Sequence, residues 1–198
     1  MHPPTYRGLS FQAEMLSILR ACIWPVCFWR LEWLEAESAW LEHAPFAFWI
    51  VDALRPRSLI ELGTHDGYSY FAFCQAVKHL ELDTRCHAVE HRGDERADFC
   101  GEAAFCDLRS YHDGRHSTFS VLIRWTFDDA PPHLADQSID LFHIGGCHDY
   151  EQFKRQFAAW RPRLSDRGVV LFHNNNEQAA ELTAIRRCDV QAEAACAA

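Results

Sequence analysis

The chain has 198 residues, 48% hydrophobic and 13% aromatic, which suits one globular domain with a sizeable core and argues against disorder. Its formal net charge of −9 gains nothing from counterion release on phosphates and is not drawn to an anionic bilayer, so neither nucleic acid nor a membrane surface is an expected partner. Nine cysteines, an odd number with no CxxC pair and several inside apolar runs, read as reduced buried thiols of a cytoplasmic protein.

At the N-terminus, MHPPTYRGLS has no basic region followed by an apolar run, so no secretory leader is expected. Residues 9–22 place Leu9, Met15, Leu16, Leu19 and Cys22 at helical spacing. Residues 27–43, rich in Trp and Glu, set Leu31, Leu34 and Leu41 on a second helical face. The apolar stretch from Ala21 to Trp33, broken by Arg30 and Glu32, is too short to span a bilayer. Pro45 suits the first turn of a further helix, which Arg55-Pro56 stops after Leu54. Residues 1–56 thus read as a helical segment packed on the core, whose Trp-rich stretch Trp24–Trp40 could cap it, cover a cleft or form a homodimer surface.

From residue 57 the pattern changes. Ser58–Leu62, Cys86–Glu90 (CHAVE), Phe119–Thr126 (FSVLIRWT), Ile139–Ile144 (IDLFHI) and Val169–Phe172 (VVLF) are short apolar runs suited to strands covered on both faces. Tyr70, Phe73, Cys74, Val77 and Leu80 follow helical spacing between the first two, and Tyr150, Phe153, Phe157, Trp160 and Leu164 do so before the last. Strands alternating with helices predict an α/β fold, a doubly wound, mostly parallel sheet of about five strands over residues 57–176. Residues 177–198 read as a weak helix and an alanine-rich tail within the same single domain.

Ligands of such sheets bind beyond the carboxyl ends of the strands. The first strand ends in Glu61-Leu62-Gly63-Thr64-His65-Asp66-Gly67-Tyr68-Ser69, where Gly63 and Gly67 permit a tight turn and close backbone approach to a ligand. The turn is neither GxGxxG nor a P-loop, and it could also be a plain strand-to-helix connection. The second strand ends at Glu90, where a carboxylate can accept both hydroxyls of a ribose. Together these indicate an adenosine-type ligand without a pyrophosphate cradle.

ELGTHDGYSYFAF, AVE, TFDDA, SIDLFHIGGCHDYE and LSDRGVVLFHNN, running from about Ser38 to Asn176, resemble the Rossmann-like class I S-adenosylmethionine-dependent methyltransferases. The nearest likeness is to the small group often found beside bacterial glycosyltransferase genes, with a more distant likeness to the catechol-type O-methyltransferases. The resemblance implies that Glu61 orients the ammonium of S-adenosylmethionine and that Gly63 and Gly67 let its methionine part lie against the backbone. It implies that His65 and Ser69 touch the carboxylate side, Glu90 the ribose, and Thr126, Phe127 and Asp128 the adenine.

The chain departs from the family at the metal. Catechol-type relatives hold a divalent cation with an Asp after the fourth strand and an Asp-Asn pair after the fifth. Here Gly145 stands in place of the usual Asp of IDG, Asn174 follows His173, and Gln156 replaces a common Asp, so no metal is expected. His148 falls where those relatives carry a basic Lys, and an imidazole can take a proton at neutral pH. It reads as the general base, as a cap of the helix beginning near Tyr150, or as a solvent-facing side chain. His143, His148 and His173 on neighbouring strand tops could bind zinc, but the spacing matches no zinc signature and favours hydrogen-bonded core histidines. The sixth and seventh strands, normally a closing antiparallel hairpin, are expected to be missing. The expected function is methyl transfer to an oxygen of a small molecule or sugar. A catalytically silent methyltransferase-like binding domain is the alternative, and a nicotinamide-dependent oxidoreductase fits less well.

Overall fold

The computed structural model describes residues 25–33, 38, 40–91, 101–126, 135–145, 154, 157–173 and 184–185. Helix α1 spans Ala44–Leu54, β1 Ser58–Leu62, α2 Tyr68–His79, β2 Arg85–His91, α3 Glu102–Arg115, β3 Ser120–Trp125, β4 Ile139–Ile144, β5 Leu164–Phe172 and β6 Ala184–Ile185. The sheet order is β3-β2-β1-β4-β5-β6. All pairs are parallel except β5–β6. The chain winds outward through β2 and β3, returns, and winds the other way through β4 and β5. The crevice therefore opens where β1 separates the two halves.

The parity of each strand sorts the core into two layers. Leu59, Cys86, Ala88, Leu141 and Leu171 face α1 and α2, whose Phe48, Val51, Phe71, Phe73 and Val77 are buried against them. Ile60, Leu62, Val89, Phe142, Ile144 and Val170 face the other way and pack with Trp160, which stacks on Phe142 at 5.2 Å. Pro45 lies in the first turn of α1, and Arg55 ends that helix in the left-handed region at φ 44°.

Several expectations are corrected. Residues 27–43 are not a helix at their described positions: Pro25–Phe28 form a 3-10 turn, and the chain then crosses α2 as an irregular strap. The Gln75 side chain replaces a helical ladder here, accepting from Glu32 N–H at 2.8 Å and donating to the Arg30 carbonyl at 2.9 Å. Helix α3 was not anticipated, because its buried stripe is only Phe105, Leu108 and His112. Strand β5 begins well before Val169. Its register with β4 shifts between Ile139 and Leu141, so that β5 bulges ahead of Val169. The sheet also has a sixth strand: Ala184 and Ile185 pair antiparallel with Leu171 and Val170, at the edge where the closing hairpin was expected to be absent. The helical reading of 9–22 lies outside the described residues.

Candidate functional site

The carboxyl edge of β1 is drawn tight by backbone contacts to both neighbours. Gly63 N–H donates to the Val89 carbonyl at 2.9 Å, and Gly145 N–H donates to the Leu62 carbonyl at 2.8 Å. Gly63 has φ 77°, and a Cβ there would stand 2.4 Å from the Gly145 carbonyl oxygen. Gly67, at φ 79°, caps α2, and its Cβ would strike Leu108 at 2.3 Å and Phe71 at 2.7 Å. Both positions need glycine for backbone angle and for space. Between them, Asp66 Oδ1 accepts from Tyr68 N–H at 2.9 Å, in the first turn of α2. Trp33 of the strap donates its indole N–H to the Asp66 carbonyl at 2.9 Å, so the turn is held from outside as well.

Two carboxylates sit at this edge. Glu90 is buried, and its Oε2 accepts the backbone N–H of His65 at 2.8 Å, which ties the end of β2 to the β1–α2 turn. Glu61 is fully buried and pairs in register with His143 across β1 and β4. Its Oε2 lies 2.6 Å from His143 Nδ1, while its Oε1 has no hydrogen-bond partner in the chain. Desolvation raises the Glu61 pKa above the usual carboxylate value, against the opposing charge and hydrogen bond of His143 and the nearby Ser69 hydroxyl. Thr64 Oγ1, just after β1, and His143 Nε2 are also buried without partners. An unmet buried polar atom costs about 1–3 kcal/mol, and an unmet carboxylate oxygen more. Such atoms clustered at a ligand crevice mark a place that a polar ligand can complete.

Of the expected site residues, the structure brings together Glu61, Gly63, His65, Gly67 and Glu90, with Ser69 buried in the first turn of α2. The His65 side chain is 62% exposed and its Nδ1 lies 3.8 Å from Asp66 Oδ2, while its backbone N–H is bound by Glu90. Thr126 directly follows β3 and is half-buried. Phe127, Asp128 and His148 lie outside the described residues, as do Gln156 and Asn174.

At the β4 end, a Cβ on Gly145 would lie 3.1 Å from the Gly63 carbonyl oxygen, so this position is crowded as well as uncharged. His143 is a hydrogen-bonded core histidine, packed edge-on against Trp40 at 4.8 Å. His173 follows β5 beside Trp40 and His43, and burial with the nearby histidines lowers its pKa to about 4. Among the described residues, no group of three or more His, Cys, Asp or Glu side chains is arranged to hold a metal ion. No described helix is long and apolar enough to cross a membrane. Cys74 and Cys86 are buried thiols, whereas Cys106 is exposed. Sequence reasoning missed the Glu61–His143 pair, although two polar residues in apolar strand runs were its available signal.

The comparisons agree with this geometry. A family model described as "Methyltransferase domain" matches residues 60–175. The uncharacterized protein y4gI of Sinorhizobium fredii (strain NBRC 101917 / NGR234) is 46% identical over 162 residues, covering 77% of this chain but only 18% of that protein. Among solved structures, S-adenosylhomocysteine-bound PaMTH1 of Podospora anserina superposes with a TM-score of 0.55 at 12% identity, covering 87% of this chain and 72% of that one. The O-methyltransferase TomG of Streptomyces achromogenes, in complex with S-adenosylmethionine, gives 0.54 at 13% identity, covering 90% and 73%. These structures show the same fold, and the family match, spanning more than half of the sequence and all of the crevice from β1 to β5, shows that this chain belongs to the methyltransferase-domain family.

Proposed function

We propose that the chain transfers a methyl group from S-adenosylmethionine to an oxygen of a small molecule or sugar. One observation carries the cofactor assignment: two buried carboxylates, Glu61 and Glu90, flank the Gly63–Gly67 turn at the point where the sheet reverses direction, and Glu61 Oε1 has no partner. A cationic ammonium would complete Glu61, and the α2 N-terminus favours a carboxylate beside it. Glu90, at the end of β2, would accept the ribose hydroxyls, and Thr126, with Phe127 and Asp128, would follow along the adenine.

The bound cofactor supplies the electrophilic methyl group. The chain holds the cofactor against the glycine turn and aligns it for in-line transfer, a contribution of positioning above all. His148, which falls where the catechol-type relatives carry a Lys, would remove the acceptor's proton, and an acceptor less acidic than a phenol needs such a base. Calorimetric titration of the chain with S-adenosylhomocysteine tests the reading: micromolar binding, lost in Glu90→Ala, is expected. Equal affinity of Glu90→Ala and the unaltered protein would remove the ribose assignment, and no binding at all would leave the methyl-donor reading without support.

A further inference from the structure

His143 is set within β4, in register with Glu61 of β1, and both side chains are fully withdrawn from solvent. Trp40 and Phe73 meet the His143 ring edge-on, at 4.8 Å and 5.6 Å, so it cannot rotate away from the carboxylate without opening the core. One carboxylate oxygen is therefore engaged at 2.6 Å and the other is left unpartnered at the ligand crevice. We propose that His143 is a positioning residue: by holding Oε2 it fixes the Glu61 carboxylate with Oε1 turned to a cationic group, and it keeps that carboxylate charged when the cation binds. The proposal rests on the methyl-donor reading and assigns the selectivity for the ligand's ammonium to a residue on a different strand.

The surroundings define the expected pH response. Glu61 faces His143 from β4, Ser69 and Tyr70 from α2, and Asp66 from the intervening turn. His143 in turn faces His173, with His43 and Asp66 beyond it. Burial favours the protonated acid, and a cation favours the carboxylate, so binding an ammonium should release a proton from Glu61. Affinity for an ammonium-bearing ligand should fall as the solution becomes more acidic.

The test uses the full chain and two probes. S-adenosylhomocysteine carries the ammonium and carboxylate, while 5′-methylthioadenosine has the same adenosine and thioether without either. Dissociation constants are measured for both from mildly acidic to mildly alkaline pH. In the unaltered protein, S-adenosylhomocysteine should weaken toward acid pH while methylthioadenosine stays level. His143→Phe, which fills the space without a donor, should weaken S-adenosylhomocysteine by about tenfold or more and methylthioadenosine by less than about twofold, as expected for loss of a charge-assisted hydrogen bond. His143→Asn, which keeps an N–H near Nδ1, should restore most of the loss. Equal losses for both probes, or no rescue by Asn, would reduce His143 to packing and overturn the proposal. Should His143→Phe fail to fold, parallel pH profiles for the two probes in the unaltered protein would overturn it equally. Tight binding of both probes by every variant would sink this inference alone, whereas binding of neither by the unaltered protein would sink the methyl-donor reading and this inference with it.

Discussion

Asp140 and Glu61 are carboxylates buried to within 1% in adjacent strands of one sheet, and they lie at opposite edges. At the amino edge, Asp140 Oδ2 accepts from Arg57 N–H at 2.9 Å and Nε at 3.0 Å, while Oδ1 accepts from Arg57 Nη2 at 3.2 Å and from the Ser165 hydroxyl at 2.6 Å. Arg167 stands 3.7 Å away. Burial alone would raise the Asp140 pKa, but these donors outweigh it and hold it at about 2. At the carboxyl edge, Glu61 is opposed by the His143 imidazole and the Ser69 hydroxyl only, its Oε1 has no partner in hydrogen-bond geometry, and burial prevails. The amino edge is a finished structural joint between the α1–β1 connection, β4 and the β5 bulge. The carboxyl edge is left incomplete, with buried polar atoms unmet. A buried acid is thus informative through its unmet hydrogen bonds rather than its burial.

The strongest way to break the contrast is at Gly63. Gly63→Ala forces a side chain at φ 77° into the Gly145 carbonyl, and a loss of about 3 kcal/mol or more is expected from strain and overpacking together. Urea unfolding would show it, and an unchanged midpoint would mean that the turn is looser than described. Next come two matched acid-to-amide changes. Asp140→Asn should cost about 2 kcal/mol of stability, since hydrogen bonds to a charged group are weakened, and should leave S-adenosylhomocysteine affinity within about twofold. Glu61→Gln should change stability by less than about 1 kcal/mol and weaken S-adenosylhomocysteine by about tenfold or more. Paired denaturation and calorimetry decide it, and the contrast fails if both variants lose the same property.

A smaller effect separates the edges by pH. His116 is buried among Phe71, Tyr111 and Phe119 with neither ring nitrogen bonded, and desolvation first, then nearby cations, lower its pKa to about 4. His173 is lowered to about the same value. Because the unfolded chain binds these protons near pH 6.5, stability should be full above that and decline as pH falls toward 4. His116→Phe should flatten that decline in thermal unfolding across pH, and an unaltered slope would show that His116 has no part in it. Asp140 acts in a lower window: its folded pKa lies below the unfolded value, so its contribution holds above about pH 4 and is lost toward pH 2.

The strands were the most legible feature, because a parallel strand covered on both faces is a continuous apolar run: Ser58–Leu62 and Ile139–Ile144 were bounded to the residue. The strap was misread as a helix because its Trp and Leu residues serve α2 and the β1–α2 turn, and its backbone is satisfied by Gln75, 43 and 45 residues away in sequence. The short β6 was missed because two residues carry no periodicity at all. Glycines with special backbone angles and strand-terminal acids have local signatures, so the turn at Gly63 and Gly67 and the place of Glu90 at the end of β2 were legible. The loss of acid at Gly145 was also visible, but not the contact of 3.1 Å that a Cβ would make with Gly63.

By itself the sequence determined the alternation of strand and helix, the place of the glycine turn and the acids that end β1 and β2, because each is set by residue type and near neighbours. Only the tertiary structure decided which acid is satisfied. The register that lays His143 beside Glu61 joins residues 82 apart, and the bulge that delivers Ser165 to Asp140 joins residues 25 apart. Hydrogen-bond completion across strands depends on register and packing, which no local pattern encodes.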